Sequence, residues 1–207
     1  MASARTANRT ARKPSQQRAV ATVEAILEAA ARILEREGIT RSFGTNRIAR
    51  EAGVSIGSLY EYFESKDAII RALCDRHVAR VHALVDAAFE ELQAVPLDHA
   101  VDHFINALFA IHESRPDLQR HLHREFPLRF GFEPFLETDR YVQGKLIEWL
   151  DRRTPGADRA ELATRAFIAI RAARAVTIHV FMEALPEPEK GRVRESMKRV
   201  LVQTLAG

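Results

Sequence analysis

The run from Thr45 to Lys66, TNRIAREAGVSIGSLYEYFESK, leaves few ways to fold. Gly53 sits at its middle, where a left-handed backbone costs glycine little and lets one helix end. Before it, Ile48, Ala49 and Ala52 give a short helix one small apolar face. Thr45 is placed to cap that helix by accepting a hydrogen bond from an orphan N–H. After it, Val54 fills the corner and Ser55 caps a second helix, whose Leu59 and Phe63 share a buried stripe. The expected unit is two short helices around a tight turn.

The other face of the second helix carries Ser55, Ile56, Gly57, Ser58, Tyr60 and Tyr62. Small residues let a helix start approach a groove closely, and hydroxyl and N–H groups bond phosphates. This composition is that of a helix-turn-helix reader of duplex DNA. The ordered run Thr45…Ile48-Ala49…Ala52-Gly53-Val54-Ser55…Gly57…Leu59-Tyr60…Tyr62-Phe63…Ser65-Lys66 resembles the TetR family of bacterial transcription regulators. The resemblance implies three N-terminal helices that bind operator DNA. It also implies a larger helical domain that binds a small-molecule effector and forms a homodimer, and a phosphate-contacting role for Lys66.

Charge agrees with that placement. The net charge of the 207-residue chain is +3, but eleven basic residues face seven acidic ones up to Lys66, so the excess lies in the N-terminal part. A modest basic half fits phosphate contacts better than a membrane surface. With 46% hydrophobic and 29% charged residues the composition is ordinary for a globular protein. No apolar run approaches the roughly 20 residues of a bilayer span, and the basic N-terminus lacks the apolar core of a secretory signal. A single cysteine, Cys74, excludes an internal disulfide and a multi-cysteine zinc site. The expected location is the cytoplasm.

The rest of the chain reads as all-α. Residues 1–17, with Arg5, Arg9, Arg12 and Lys13, read as a disordered basic arm able to follow the DNA backbone. A first helix is expected from about Gln17 to Glu37, ended by Gly38, with Arg41 and Thr45 beyond it placed for phosphate contacts. Residues 18–65 then form the DNA-binding domain and 66–207 the effector-binding and dimerisation domain. Ser65 caps a long helix to about Gln93, a stiff link between the two. Further helices are expected over about 97–113, 117–124, 135–153, 158–185 and 188–205. A Phe-rich loop, Phe126 to Phe135, should fold over a cavity or the core.

Site assignments follow. Ser55, Ile56, Ser58 and Tyr60 are candidates for positions at or near the base edges, Thr45, Tyr62 and Lys66 for phosphates, and Gly57 belongs to the same DNA-binding set. An effector pocket is expected among Phe104, Phe109, His112, Tyr141, Trp149, Phe167 and Arg171, because aromatic walls with a few polar anchors suit small molecules. The last two helices resemble the family's dimer interface, with Ala175, Ile178, Val193, Met197 and Leu201 as candidates. His99 and His103 are one turn apart, but no third ligand has a motif, so no metal is assigned. No phosphate-binding glycine loop or G-x-S-x-G nucleophile occurs, so neither a cofactor nor an enzyme activity is assigned. The functional reading is a repressor released from its operator by a ligand. The alternatives are an activator or effector-independent DNA binder, and a helical enzyme or ligand carrier without DNA function.

Overall fold

The computed structural model describes residues 14–40, 42–92 and 94–207; the arm up to Lys13, and Arg41, lie outside them. The described residues form nine helices and no strand: α1 (Pro14–Glu37), α2 (Thr45–Ala52), α3 (Ile56–Tyr62), α4 (Lys66–Glu91), α5 (Leu97–Ser114), α6 (Pro116–Phe130), α7 (Glu133–Arg153), α8 (Arg159–Met182) and α9 (Glu187–Ala206). The fold is all-α, as expected. Residues 14–17, expected in the arm, belong to α1.

Local chemistry explains most boundaries. Gly38 ends α1 at φ +67° and Gly53 ends α2 at φ +70°, the region where a Cβ is costly. Ser55 and Ser65 each cap their helix, accepting from Ser58 N–H at 2.9 Å and Ala68 N–H at 3.2 Å. Asp158 caps α8 by accepting from Ala160 N–H at 2.9 Å. Thr45 departs from expectation: Gly44 is the extended residue before α2, and Thr45 already lies in the first helical turn.

The Phe-rich segment is also helical rather than a loop. Helix α6 runs through Pro127 to Phe130, and only Gly131 and Phe132 separate it from α7. An internal proline forfeits one i→i−4 bond and costs about 3 kcal/mol. Burial of Phe126 between Phe130 and Phe135, at centroid distances of 4.8 and 5.7 Å, offsets this. Phe132, by contrast, is exposed.

Two hydrophobic cores result. One joins Ile26, Ile33 and Leu34 of α1, Ile48 of α2 and Leu59 of α3 to Ile69, Ile70 and Leu73 of α4. Leu118, Leu122 and Phe126 of α6 and Phe135 of α7 complete it. The other packs α5, α7, α8 and α9 around Phe109, Trp149 and Leu201, with the C-terminal half of α4. Trp149 fastens α7 to the end of α4 by donating from Nε1 to the Leu92 carbonyl at 3.0 Å. Among the described residues no helix is long and apolar enough to cross a membrane.

Candidate functional site

The N-terminal site is the face of α3. Leu59 and Phe63 are buried and hold the helix on its core, which turns Ser55, Ile56, Gly57, Tyr60 and Tyr62 outward. Ile56 is 39% exposed, Tyr60 53% and Tyr62 38%, so one short helix offers apolar and aromatic surface together with hydroxyl groups. Gly57 has an ordinary backbone, and a Cβ there would meet only Ser55 Oγ at 3.7 Å. Nothing inside the protein requires a glycine at that position. Ser58 is half-buried and receives a hydrogen bond from Ser55 Oγ at 3.0 Å.

Thr45 lies beside this face. Its hydroxyl is 3.1 Å from the Tyr60 hydroxyl, so the start of α2 and the middle of α3 present two adjacent hydroxyl groups. Lys66 opens α4 on the same side of the chain turn and is exposed, without an ion-pair partner among the described residues. Two arginines near the turn are engaged. Arg47 is bonded to Glu37, and with Ser42 it holds that carboxyl down at about 2. Arg36 holds Glu51 as a fork, with contacts of 3.0 Å. These pairs brace α2 against α1.

Two cavities occupy the C-terminal part. The first, about 50 Å³, is lined wholly by apolar side chains and includes Trp149 and Phe104. The second, about 70 Å³, has apolar walls and one polar end made by His77, His112, His123, Thr138, Asp139 and Arg174. Phe104, Ile170 and Ala173 line both. The three imidazoles cluster, with ring centroids 5.4 to 6.3 Å apart. Burial lowers all three pKa values, that of His77 to about 4. Asp139, 2% exposed, has its carboxyl raised by burial despite the Arg174 guanidinium 2.8 Å away.

Of the expected pocket residues, Phe104, His112 and Trp149 line these cavities. Phe109 is fully buried against Phe181 and Arg194, outside either lining. Tyr141 stacks on His82 and donates to Asp86. Phe167 is 49% exposed with the Arg171 guanidinium 3.8 Å above its ring, and Arg171, half-buried, donates to Gln143 of α7 at 2.9 Å, so neither lines a cavity. Ala166, Ala169, Ile170 and Ala173 take the inner side of α8. His77, His123, Asp139 and Arg174 carry no local motif, since each comes from a different helix.

The expected interface residues divide too. Met197 and Leu201 are buried in the protomer's own core, because their stripe on α9 is covered by α5 and α8. Ile178 borders the second cavity, Val193 is half-buried and Ala175 is exposed. The large apolar side chains left outward on these helices are Phe167, Ile168, Val176 and Val200, 49%, 51%, 36% and 55% exposed. His99 and His103 are exposed, and among the described residues no group of three or more His, Cys, Asp or Glu could hold a metal ion.

Comparison with known proteins follows this division. A search of curated proteins finds no match. In structure, the chain is similar to a TetR-family transcriptional regulator from Mesorhizobium loti, at TM-score 0.70 and 14% identity over 90% of this chain and 97% of that one. A TetR-like regulator from Rhodococcus sp. RHA1 gives TM-score 0.65 and 16% identity, covering 90% and 96%. A TetR-family regulator from Streptomyces coelicolor gives 0.58 and 23%, covering 89% and 98%. Residues 26–73 match the family model of bacterial regulatory proteins, tetR family, and residues 96–205 match the tetracyclin repressor-like C-terminal domain. A helix-turn-helix on its own core, followed by matched sequence over more than half the chain, places this protein in the TetR family of DNA-binding transcriptional regulators.

Proposed function

We propose that the protein is a homodimeric repressor that leaves its operator when a small molecule enters the C-terminal bundle. Two copies of α3 occupy successive major grooves of a near-palindromic site, as a two-fold dimer requires. Ser55, Ile56, Gly57, Ser58 and Tyr60 meet base edges, while Thr45, Tyr62 and Lys66 hold phosphates and set register. The observation that carries this reading is the outward, unsupported face of α3, with Ile56 and Tyr60 exposed and Gly57 open. The outward apolar residues Ile168, Val176 and Val200 supply the dimer contact.

Helix α6 supplies the link between cavity and reader. His123 lines the second cavity, whereas His121, two residues earlier, packs against Gly38 at the end of α1. At its other end Arg129 pairs with Asp67 at 3.5 Å, next to Lys66, and Arg71 lies 4.0 Å over Phe130. Where α5 gives way to α6, Arg115 bridges to Glu28 and Glu35 of α1 at 3.1 and 2.8 Å. A ligand that displaces α6 therefore moves both elements flanking the reader. It shifts the equilibrium only by its differential affinity for the two arrangements. The test is selection of bound sites from random duplexes, followed by fluorescence anisotropy on the recovered site. Two-fold symmetric half-sites one helical turn apart are expected; binding to no duplex at low ionic strength overturns the reading.

A further inference from the structure

The second cavity holds an unpaired hydrogen-bonding group on His112. His112 is 4% exposed, and its Nδ1 lies 2.9 Å from the Leu108 carbonyl. A carbonyl oxygen only accepts, so Nδ1 carries the hydrogen and the neutral ring leaves Nε2 as a bare acceptor. That Nε2 is buried and has no partner among the described residues. The ring cannot turn away, being stacked between Phe181 and His123 at centroid distances of 5.3 and 5.4 Å.

The charged groups nearby narrow the choice further. His77 of α4, with Arg80 beyond it, His123 of α6, Asp139 of α7 and Arg174 of α8 surround His112. Lys190 and Arg194 of α9 lie over Phe181 and Phe109 on its outer side. Arg174 Nε is 2.8 and 3.0 Å from the two Asp139 oxygens, so the charges of this cation and anion offset one another. An incoming carboxylate finds its nearest cation engaged, and an ammonium finds its nearest carboxylate engaged. Two buried ring nitrogens here are without a partner among the described residues, Nε2 of His112 and Nε2 of His123, and the first, an acceptor, calls for a neutral donor.

Resting on the effector reading above, we propose that this cavity takes an apolar molecule through one neutral donor head. The head is a hydroxyl or an undissociated carboxylic acid, seated on Nε2 of His112. The body lies against Val81, Val85 and Val142 and runs toward the first cavity, from which the Phe104 ring, Ile170 and Ala173 separate it. Cavities of about 70 and 50 Å³ admit only a short body each, so a longer chain displaces Phe104 and joins them.

Calorimetry on the full-length protein with 1-octanol, octanoic acid and octylammonium at pH 6, 7 and 8 tests this. Octanol should bind equally at all three pH values. Octanoic acid, bound with its proton, should weaken about tenfold per pH unit above its own pKa. Octylammonium should bind at least tenfold more weakly than octanol. His112→Phe should lower octanol affinity about tenfold, and Phe104→Trp should weaken dodecanol more than hexanol. Octanoate affinity independent of pH, a preference for the ammonium, or no binding of any probe overturns the proposal. If a variant does not fold, the three pH series on the unaltered protein still decide. Operator release is measured separately by anisotropy. Binding without release leaves the donor site standing and removes only the release mechanism.

Discussion

Gly38, just past the end of α1, and His121 of α6 touch: a Cβ at Gly38 would lie 2.7 Å from Cε1 of the imidazole. The same residue has φ +67°, so alanine there is strained and also collides. Backbone strain alone costs about 1 kcal/mol. Gly38→Ala should lower the melting temperature by several degrees, given about 2–4 °C per kcal/mol at this size. His121→Ala in the same chain should recover only the collision. Equal melting of Gly38→Ala and the parent protein would show that α6 does not press on α1.

Phosphate contacts carry no sequence information but set the salt dependence. Tyr62→Ala and Lys66→Ala should each weaken binding to every duplex. Lys66→Ala should also reduce the slope of log K against log salt by about 1. Ser58→Ala should instead change the preference among recovered sites. An unchanged slope for Lys66→Ala removes its phosphate role.

The α8 and α9 surface separates two kinds of substitution. Val176→Asp with Val200→Asp alters side chains 36% and 55% exposed, and should give folded monomers with weakened operator affinity. Leu201→Asp places a charge in a core where Leu201 is 4% exposed, and should unfold the chain, not merely dissociate it. Light scattering and circular dichroism together tell these outcomes apart. A double aspartate variant that stays dimeric moves the interface elsewhere.

The imidazole cluster fixes the acid response. Burial holds His77 down at about 4, while the unfolded chain binds a proton near 6.5. Between these values the unfolded state carries more protons, so stability is complete above pH 6.5 and is lost as pH falls toward 4. Urea midpoints measured from pH 7.5 to 4.5 should decline, and His77→Gln should flatten that decline. A flat parent curve contradicts burial of the neutral ring.

Cys74 is 1% exposed, and burial with the neighbouring Asp75 pushes its thiol up to about 12. A thiol reagent at pH 8 should label it only at the rate of unfolding. Rapid labelling of the folded protein would show an opening of α4 against α1.

What the sequence makes legible is local. Gly53, Ser55 and Ser65 act within four residues of the groups they serve, so spacing alone locates them. Thr45 illustrates the limit, since capping requires an extended backbone and Gly44 takes that conformation instead. Pro127 reads as a break, yet the burial of Phe126 outweighs the missing bond. Met197 and Leu201 show that a helical stripe reveals a covered face without saying which neighbour covers it. The second cavity's polar end is assembled from five helices, and no periodicity along one helix announces such a meeting.

The shared packing of α6 with α1 and α4 has an evolutionary corollary. Leu118, Leu122 and Phe126 supply part of the reader's interior, so a fragment cut after Ser65 loses the wall it rests on. Grafting a foreign reader onto this bundle, or this reader onto another, therefore demands that α6 travel with it. New operator specificity is more easily acquired by changing the outward side chains of α3 than by recombining whole modules.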